Sequence, residues 1–326
     1  MKQNVEYKET AELSLQETAL LAYLNDYQSL KKRDTVVCLS DPAFVHNIFT
    51  NIFKNHSDVY IDYPEVIKSV IKKVVIAREN CLLDHYIDIV KRYRQKNIRI
   101  VRVTDSEYPS KLMKIPDPPF VLYLKGRVES LSRPAVAIVG TRDISPEGTE
   151  KVQEIVGFFV QLGYTIVSGL ALGTDTCAHK AALDLGGETI AVLPGDIENV
   201  VPKENQELAE RVSTSGALIS EITPLTKMHK GRYIERNRIT SALSKAVIVI
   251  ETGESGGSIR QAETAFKQGT PIYAVRPEGT NKRAVAGFDK LISEGATPIS
   301  DLHDLSMHFR KVQSPSTRMT TLADFL

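Results

Sequence analysis

From Ala135 onward the sequence carries six short apolar runs: AVAIVG, YTIVSG, ETIAVLPG, GALISE, AVIVIE and PIYAVR. Each is rich in Val, Ile and Ala and is separated from the next by a stretch whose apolar residues recur at helical spacing. Runs that are apolar at successive positions indicate strands buried on both faces, which calls for a parallel sheet with helices on either side. The expected class is therefore α/β: an extended Rossmann-like, doubly wound, mostly parallel sheet spanning 98–300, with a helical domain in front of it. The alternating run IRIVRV opens this region. The stretch DSEYPSKLMKIPDPPFVLYLKG that follows is rich in proline but too apolar for a free linker, so it predicts an irregular, ordered connector packed against the next domain. Residues 301–326 form a short tail in which no winged-helix domain is expected.

Residues 1–97 predict the helical domain. Ser14 and Glu17 have the spacing of a capping box ahead of Leu20, Leu21 and Leu24. Phe44, Ile48 and Ile52 recur every fourth residue, and Pro64 suits the first turn of a further helix running on through VIKSVIKKVVIARENCLLDHYIDIVKRYRQK. The basic end of that stretch (Lys91, Arg92, Arg94, Lys96) invites a nucleic-acid reading, but it is also what a helix C-terminus favours, because cations there face orphaned carbonyls, and the second reading is preferred.

Charge decides little at the scale of the whole chain. Among 326 residues, 41 Lys and Arg face 40 Asp and Glu, so any anion site must be a local patch. Three widely spaced cysteines, Cys38, Cys81 and Cys177, lack metal-ligand spacing and suggest reduced thiols. The polar N-terminus is unlike a secretory signal, and no apolar run approaches the roughly 20 residues of a membrane span. A cytoplasmic protein with no membrane partner is expected.

The glycines locate the candidate site. Gly140, Gly169, Gly195 and Gly253 stand at or just beyond the carboxyl ends of predicted strands, the edge where open α/β sheets bind ligands. In GESGGSIRQAE, Gly256, Gly257 and Ser258 open a helix directly after AVIVIE. That run suits a cradle of N–H groups for phosphate, and it equally suits an ordinary βα turn. Neither GxGxxG nor GxxxxGK[ST] occurs in these turns, which disfavours a standard dinucleotide or P-loop site. Basic residues fall on the same edge: Arg142 after the first strand, Lys203 beyond the third, and Arg232, Arg236 and Arg238 in GRYIERNRITSALS. The planar guanidinium fork binds two phosphate oxygens at once. Glu221 and Glu251 end buried strands and are expected to orient these arginines. Asp175 and His179, one helical turn apart, lack a third metal ligand, so Asp175 reads as a helix-start residue. Cys177 reads as a buried, inert thiol. No catalytic residue, metal or cofactor is predicted.

An ordered set of fragments then resembles the DNA-processing protein A (DprA/Smf) family: YPSKL, PDPPFVLYLKG, AIVGTR, SGLALGTDTCAHKAAL, LPGDIENVVPKEN, ISE, ERNRITSALS, VIETGESGGS and GFDKLISEGATPI. The resemblance implies an extended Rossmann fold that dimerises, binds single-stranded DNA and passes strands to the RecA recombinase in natural transformation, without established catalytic residues. It also implies site residues. Arg142 matches the family's VGSR turn, Lys203 its GxxxxYPxxN turn, and Arg236, Asn237 and Arg238 its RNR signature. Ser168 and Gly169 match the SGLARGID turn, and Gly256, Gly257 and Ser258 the SGS-type helix start. Binding by such groups is expected to be independent of sequence and sensitive to salt, with Tyr233 the nearest aromatic. The chain departs from the pattern at Leu172, where the family has arginine, at Tyr233-Ile234-Glu235 before RNR, and at Phe288 in place of asparagine.

Two alternatives use the same cleft. One is a nucleotide-binding sensor. The other is a phosphoribohydrolase of the lonely-guy type, since Glu263 has the spacing of the glutamate in PGGxGTxxE, although Ile259 and Arg260 replace its Gly-Thr.

Overall fold

A computed structural model describes residues 2–27, 30, 35, 39–46, 65–278 and 281–309. All six apolar runs form strands: β3 (Ala135–Val139), β4 (Thr165–Ser168), β5 (Thr189–Val192), β6 (Ala217–Ser220), β7 (Val247–Val249) and β8 (Ile272–Val275). β1 (Arg99–Arg102) lies in the IRIVRV run. β2 (Val121–Gly126) lies in the stretch expected to be irregular, and β9 (Thr297–Ile299) ends the sheet. Among the described residues the order is β1-β2-β6-β5-β4-β3-β7-β8-β9. β6 through β9 in that order are mutually parallel, while β2 pairs antiparallel with both β1 and β6.

The connector is therefore corrected at its far end. Prolines confine its irregular part to 106–120, where Tyr108 donates to the Pro119 carbonyl at 2.6 Å. VLYLK, free of proline, then pairs with β6, with Tyr123 opposite Ser220 and Lys125 opposite Leu218.

Ten helices surround the sheet among the described residues. They are α1 (Lys2–Asn25), α2 (Glu65–Glu79), α3 (Leu82–Gln95), α4 (Pro146–Gln161), α5 (Thr174–Asp184), α6 (Gln206–Ser215), α7 (Gly231–Leu243), α8 (Gly257–Gln268), α9 (Lys282–Ser293) and α10 (Leu302–Ser306). The pleat of β3 sorts two cores: Ala135, Ala137 and Val139 pack into one with α6, α7 and α8. Val136 and Ile138 pack into the other with α4 and α5. α1, α2 and α3 join the first core through Tyr93, Val101, Leu122 and Tyr123, so apolar packing runs without a break from the N-terminal helices into the sheet.

The capping box expected at Ser14 and Glu17 does not exist. α1 begins at Lys2, because the twelve residues before Ser14 contain neither Pro nor Gly and favour helix. Glu17 instead reaches His46 at 3.1 Å and lies 3.8 Å from Arg102. Phe44 is half-buried against the first core; Ile48, Ile52 and Pro64 lie outside the described residues. At the end of α3, Arg92 and Lys96 pair with Glu198 at 2.9 and 2.6 Å, so these cations serve an internal contact. No helix among the described residues is long and apolar enough to cross a membrane.

Candidate functional site

The chain winds from β3 through β4 and β5 to β6 on one side, then returns past β3 to lay down β7, β8 and β9 on the other. The resulting switch point lies between β3 and β7, where no crossover covers the carboxyl ends and a crevice must open. A cavity of about 410 Å³ occupies that position. Its walls are the turn after β3 (Gly140–Asp143), Ala171 beyond β4, residues 252–253 and 255–258 between β7 and α8, the α7 residues Tyr233, Ile234, Arg236 and Asn237, and Arg283 on α9.

Arg236 forms the floor. Its guanidinium is buried over Gly169, where a Cβ would overlap it, so the second strand of the fold must end in glycine for the arginine to lie there. Its Nη1 donates to Thr240 Oγ1 at 3.3 Å and its Nε meets no acceptor. Among the described residues no carboxylate comes within 4 Å of it. Burial lowers its pKa, a shift opposed mainly by the charge of Asp175. Asp175 accepts from the N–H groups of Gly169 and Ala171 at 3.1 and 3.2 Å, and burial raises its pKa against the pull of Arg236. A buried guanidinium that lacks a direct ionic partner is costly unless an anion completes it.

Arg142 is exposed at the rim and stacks over Tyr233, 5.5 Å from the ring centroid. Gly256 caps α8 at φ +133°, a conformation that favours glycine, and leaves the first N–H groups of α8 without a side-chain cap beside the cavity. Ser258 lines the same wall and donates to Thr252 Oγ1 at 2.8 Å. Arg283 was missed in the sequence. It lies in the first turn of α9, and the Lys282-Arg283 pair a few residues after PIYAVR was the available signal.

The other expected residues fall elsewhere. Ser168 is buried beneath the crest and donates to the Ile138 carbonyl at 2.6 Å. Lys203 is exposed on the neighbouring stretch of crest, next to Asn205, which bonds the carbonyl of Leu170 at 2.8 Å. Arg238 points away from the cavity: Nη2 donates to Glu221 at 2.7 Å and Nε to Asp117 at 2.8 Å. Burial works against its charge, yet Glu221 and Asp117 together hold its pKa above the ordinary range. Glu221 thus contacts an arginine. Glu251 does not: it accepts from the Ser145 hydroxyl at 2.6 Å and the Ser145 N–H at 3.0 Å, fixing the cap of α4, because the turn after β3 brings Ser145 over the end of β7. Arg232 pairs with Glu235 at 2.7 Å.

His179 is not a partner for Asp175. Its Nδ1 bonds Thr189 Oγ1 at 2.7 Å, and burial together with Arg236 lowers its pKa to about 3, so the imidazole is neutral. No group of three His, Cys, Asp or Glu among the described residues could hold a metal ion. Cys177 is half-buried rather than enclosed. Leu172 is exposed where the resembled pattern has arginine, and Glu263 lies outside the cavity, 3.8 Å from Arg260.

Fold and cavity together define a Rossmann-like protein with a cationic crevice at its topological switch point. Residues 99–310 match the DNA recombination-mediator protein A family, and the chain belongs to it. It is 36% identical to DNA processing protein DprA of Bacillus subtilis over 218 residues, 67% of this chain and 73% of that one. The solved structure of DprA from Streptococcus pneumoniae superposes with a TM-score of 0.66 at 28% identity, covering 90% of this chain and 96% of that one. DprA from Helicobacter pylori, whose structure was solved for its mode of binding single-stranded DNA, has a TM-score of 0.57 at 28% identity over 64% of this chain and 94% of its own.

Proposed function

We propose that this chain binds single-stranded DNA along the crest of its sheet, as a homodimer, and delivers the strand to a RecA recombinase during DNA processing such as natural transformation. The observation that carries the reading is Arg236: a buried guanidinium facing a cavity, with no carboxylate in contact, is completed by a phosphate. Arg142, Asn237, Arg283 and the open N-terminus of α8, with Gly256, Gly257 and Ser258, supply further contacts around it. Lys203 extends the path along the crest. Ser168 and Gly169 support the floor, and Arg238 supports α7 from behind. Residues 98–300 act as the strand-binding domain and 1–97 as a helical module attached to it.

Because these groups recognise phosphates rather than base edges, binding is insensitive to sequence and falls steeply with salt. The test is the affinity for a labelled single-stranded oligonucleotide across a salt series. Arg142→Ala is expected to flatten the log–log slope by about 0.7, the share of one phosphate contact on a single strand. An unchanged slope would remove the crest from the binding path.

We read the chain as a binding protein without turnover. Glu263, the residue a nucleotide hydrolase would need, is paired with Arg260 outside the cavity. Release of free base from a nucleoside monophosphate, lost in Glu263→Ala, would overturn that reading.

A further inference from the structure

A second cationic groove lies at the opposite edge of the sheet. It has a volume of about 350 Å³ and is bounded by the ends of α7 and α8, the residues leading into β7 and β8, and the connector at 111–116. Lys111, Lys114, Lys245 and Lys267 stand around it, all exposed, and no acidic residue lines it. None of the four has an ion-pair partner among the described residues. Lys245 rests against the Tyr164 ring, 5.4 Å from its centroid.

Helix ends account for part of this charge, since Lys267 belongs to the last turn of α8 and Lys245 follows the end of α7. The magnitudes show that they do not account for all of it. A helix C-terminus carries about half a negative charge, so two such ends offset only about a quarter of four lysines. Lys111 and Lys114 come from the connector and serve neither helix. Lys111 also shows the surplus directly: partial burial and the charge of Lys245 both push its pKa down, with no carboxylate acting against them.

We infer that this groove is a second site for single-stranded nucleic acid, holding a strand segment separate from the one on the crest. Lysines at the rim suit phosphodiester oxygens. The floor of Ile115, Pro116, Ala242 and Pro271 offers apolar surface to a base or sugar. The choice of polymer rests on the strand-binding reading of the crest; the site itself does not. Two sites on opposite edges let one chain hold two strands, or two parts of one.

The test compares wild type with Lys111→Gln/Lys114→Gln/Lys245→Gln/Lys267→Gln and with the crest variant Arg142→Ala/Arg283→Ala. Each is titrated with a labelled single-stranded oligonucleotide too short to reach from one edge to the other, at several salt concentrations, and thermal midpoints confirm folding. All six positions are exposed side chains, so the fold is expected to survive. Two strand segments per chain are expected in wild type and one in the lysine variant, with the salt slope flattened by about 2 to 3. One segment per chain in wild type, or a lysine variant unchanged in stoichiometry and slope, overturns the second site. Lost binding in the crest variant alone leaves the crest standing and removes the groove. Lost binding in the lysine variant alone retains the groove and removes the crest.

Discussion

Arg236 and Arg238 show how far two residues separate roles on a helix. At about 100° per residue, side chains two positions apart point to nearly opposite sides. Arg236 therefore faces the cavity, while Arg238 faces Glu221 and Asp117. Arg238→Met is expected to destabilise the fold by about 3–5 kcal/mol, because it removes the guanidinium from a buried ion pair with Glu221. It should leave the salt slope of strand binding unchanged; denaturant unfolding and the salt series check the two halves. His179 gives a prediction of different kind. Its pKa falls to about 3 in the folded chain from 6.5 unfolded, so between those values only the unfolded chain binds the proton. Stability from this group is full above pH 6.5 and declines as pH falls toward 3. His179→Gln should reduce the slope of unfolding free energy against pH by about 1.4 kcal/mol per pH unit across that window.

At the scale of the element, α7 is held from behind so that its front can carry a charge. Gln261 of α8 donates to the Asn237 carbonyl and to Ser241, and Gln268 donates to the Arg238 carbonyl. The end of α1 reaches the same assembly: buried Asn25 donates to the Glu221 carbonyl at 2.7 Å and accepts from the Phe120 N–H at 2.8 Å. Asn25→Ala removes both of these buried hydrogen bonds and is expected to cost about 1–3 kcal/mol, read by chemical denaturation. Gly169→Ala acts on the front instead. The added methyl meets the far end of a flexible side chain rather than backbone, so the fold adapts and Arg236 moves. The expected outcome is a salt slope flattened by about 0.7 with little change in thermal midpoint.

The whole molecule is tied together by its first core. Tyr86 donates to Asp26, Tyr93 donates to Asp196, and Tyr93 packs edge-on against Tyr123 of β2, so the N-terminal helices and the sheet share one tyrosine-rich seam. Because the chain contains no Trp, near-ultraviolet tyrosine signals report heavily on that seam. Unfolding followed by tyrosine absorbance and by far-ultraviolet circular dichroism should give coincident transitions. An earlier tyrosine transition would mean that the helices separate from the sheet before it melts.

Six strands and the place of the switch-point cavity were legible because each depends on local pattern: apolar runs, glycine at the strand ends, and arginine near those glycines. The strand in VLYLKG was not legible, since the prolines before it mask a run whose pairing partner lies nearly a hundred residues away. The capping box at Ser14 and Glu17 failed for a related reason: it was spaced correctly but sat within a helix that had already begun. The sequence by itself determined the class of fold, its crest and the kinds of charge brought there. Only the tertiary structure decided which guanidinium lacks a counter-ion, because that depends on carboxylates delivered by other elements. Asp117 and Glu221 reach Arg238, Glu251 goes to Ser145, and none comes into direct contact with Arg236.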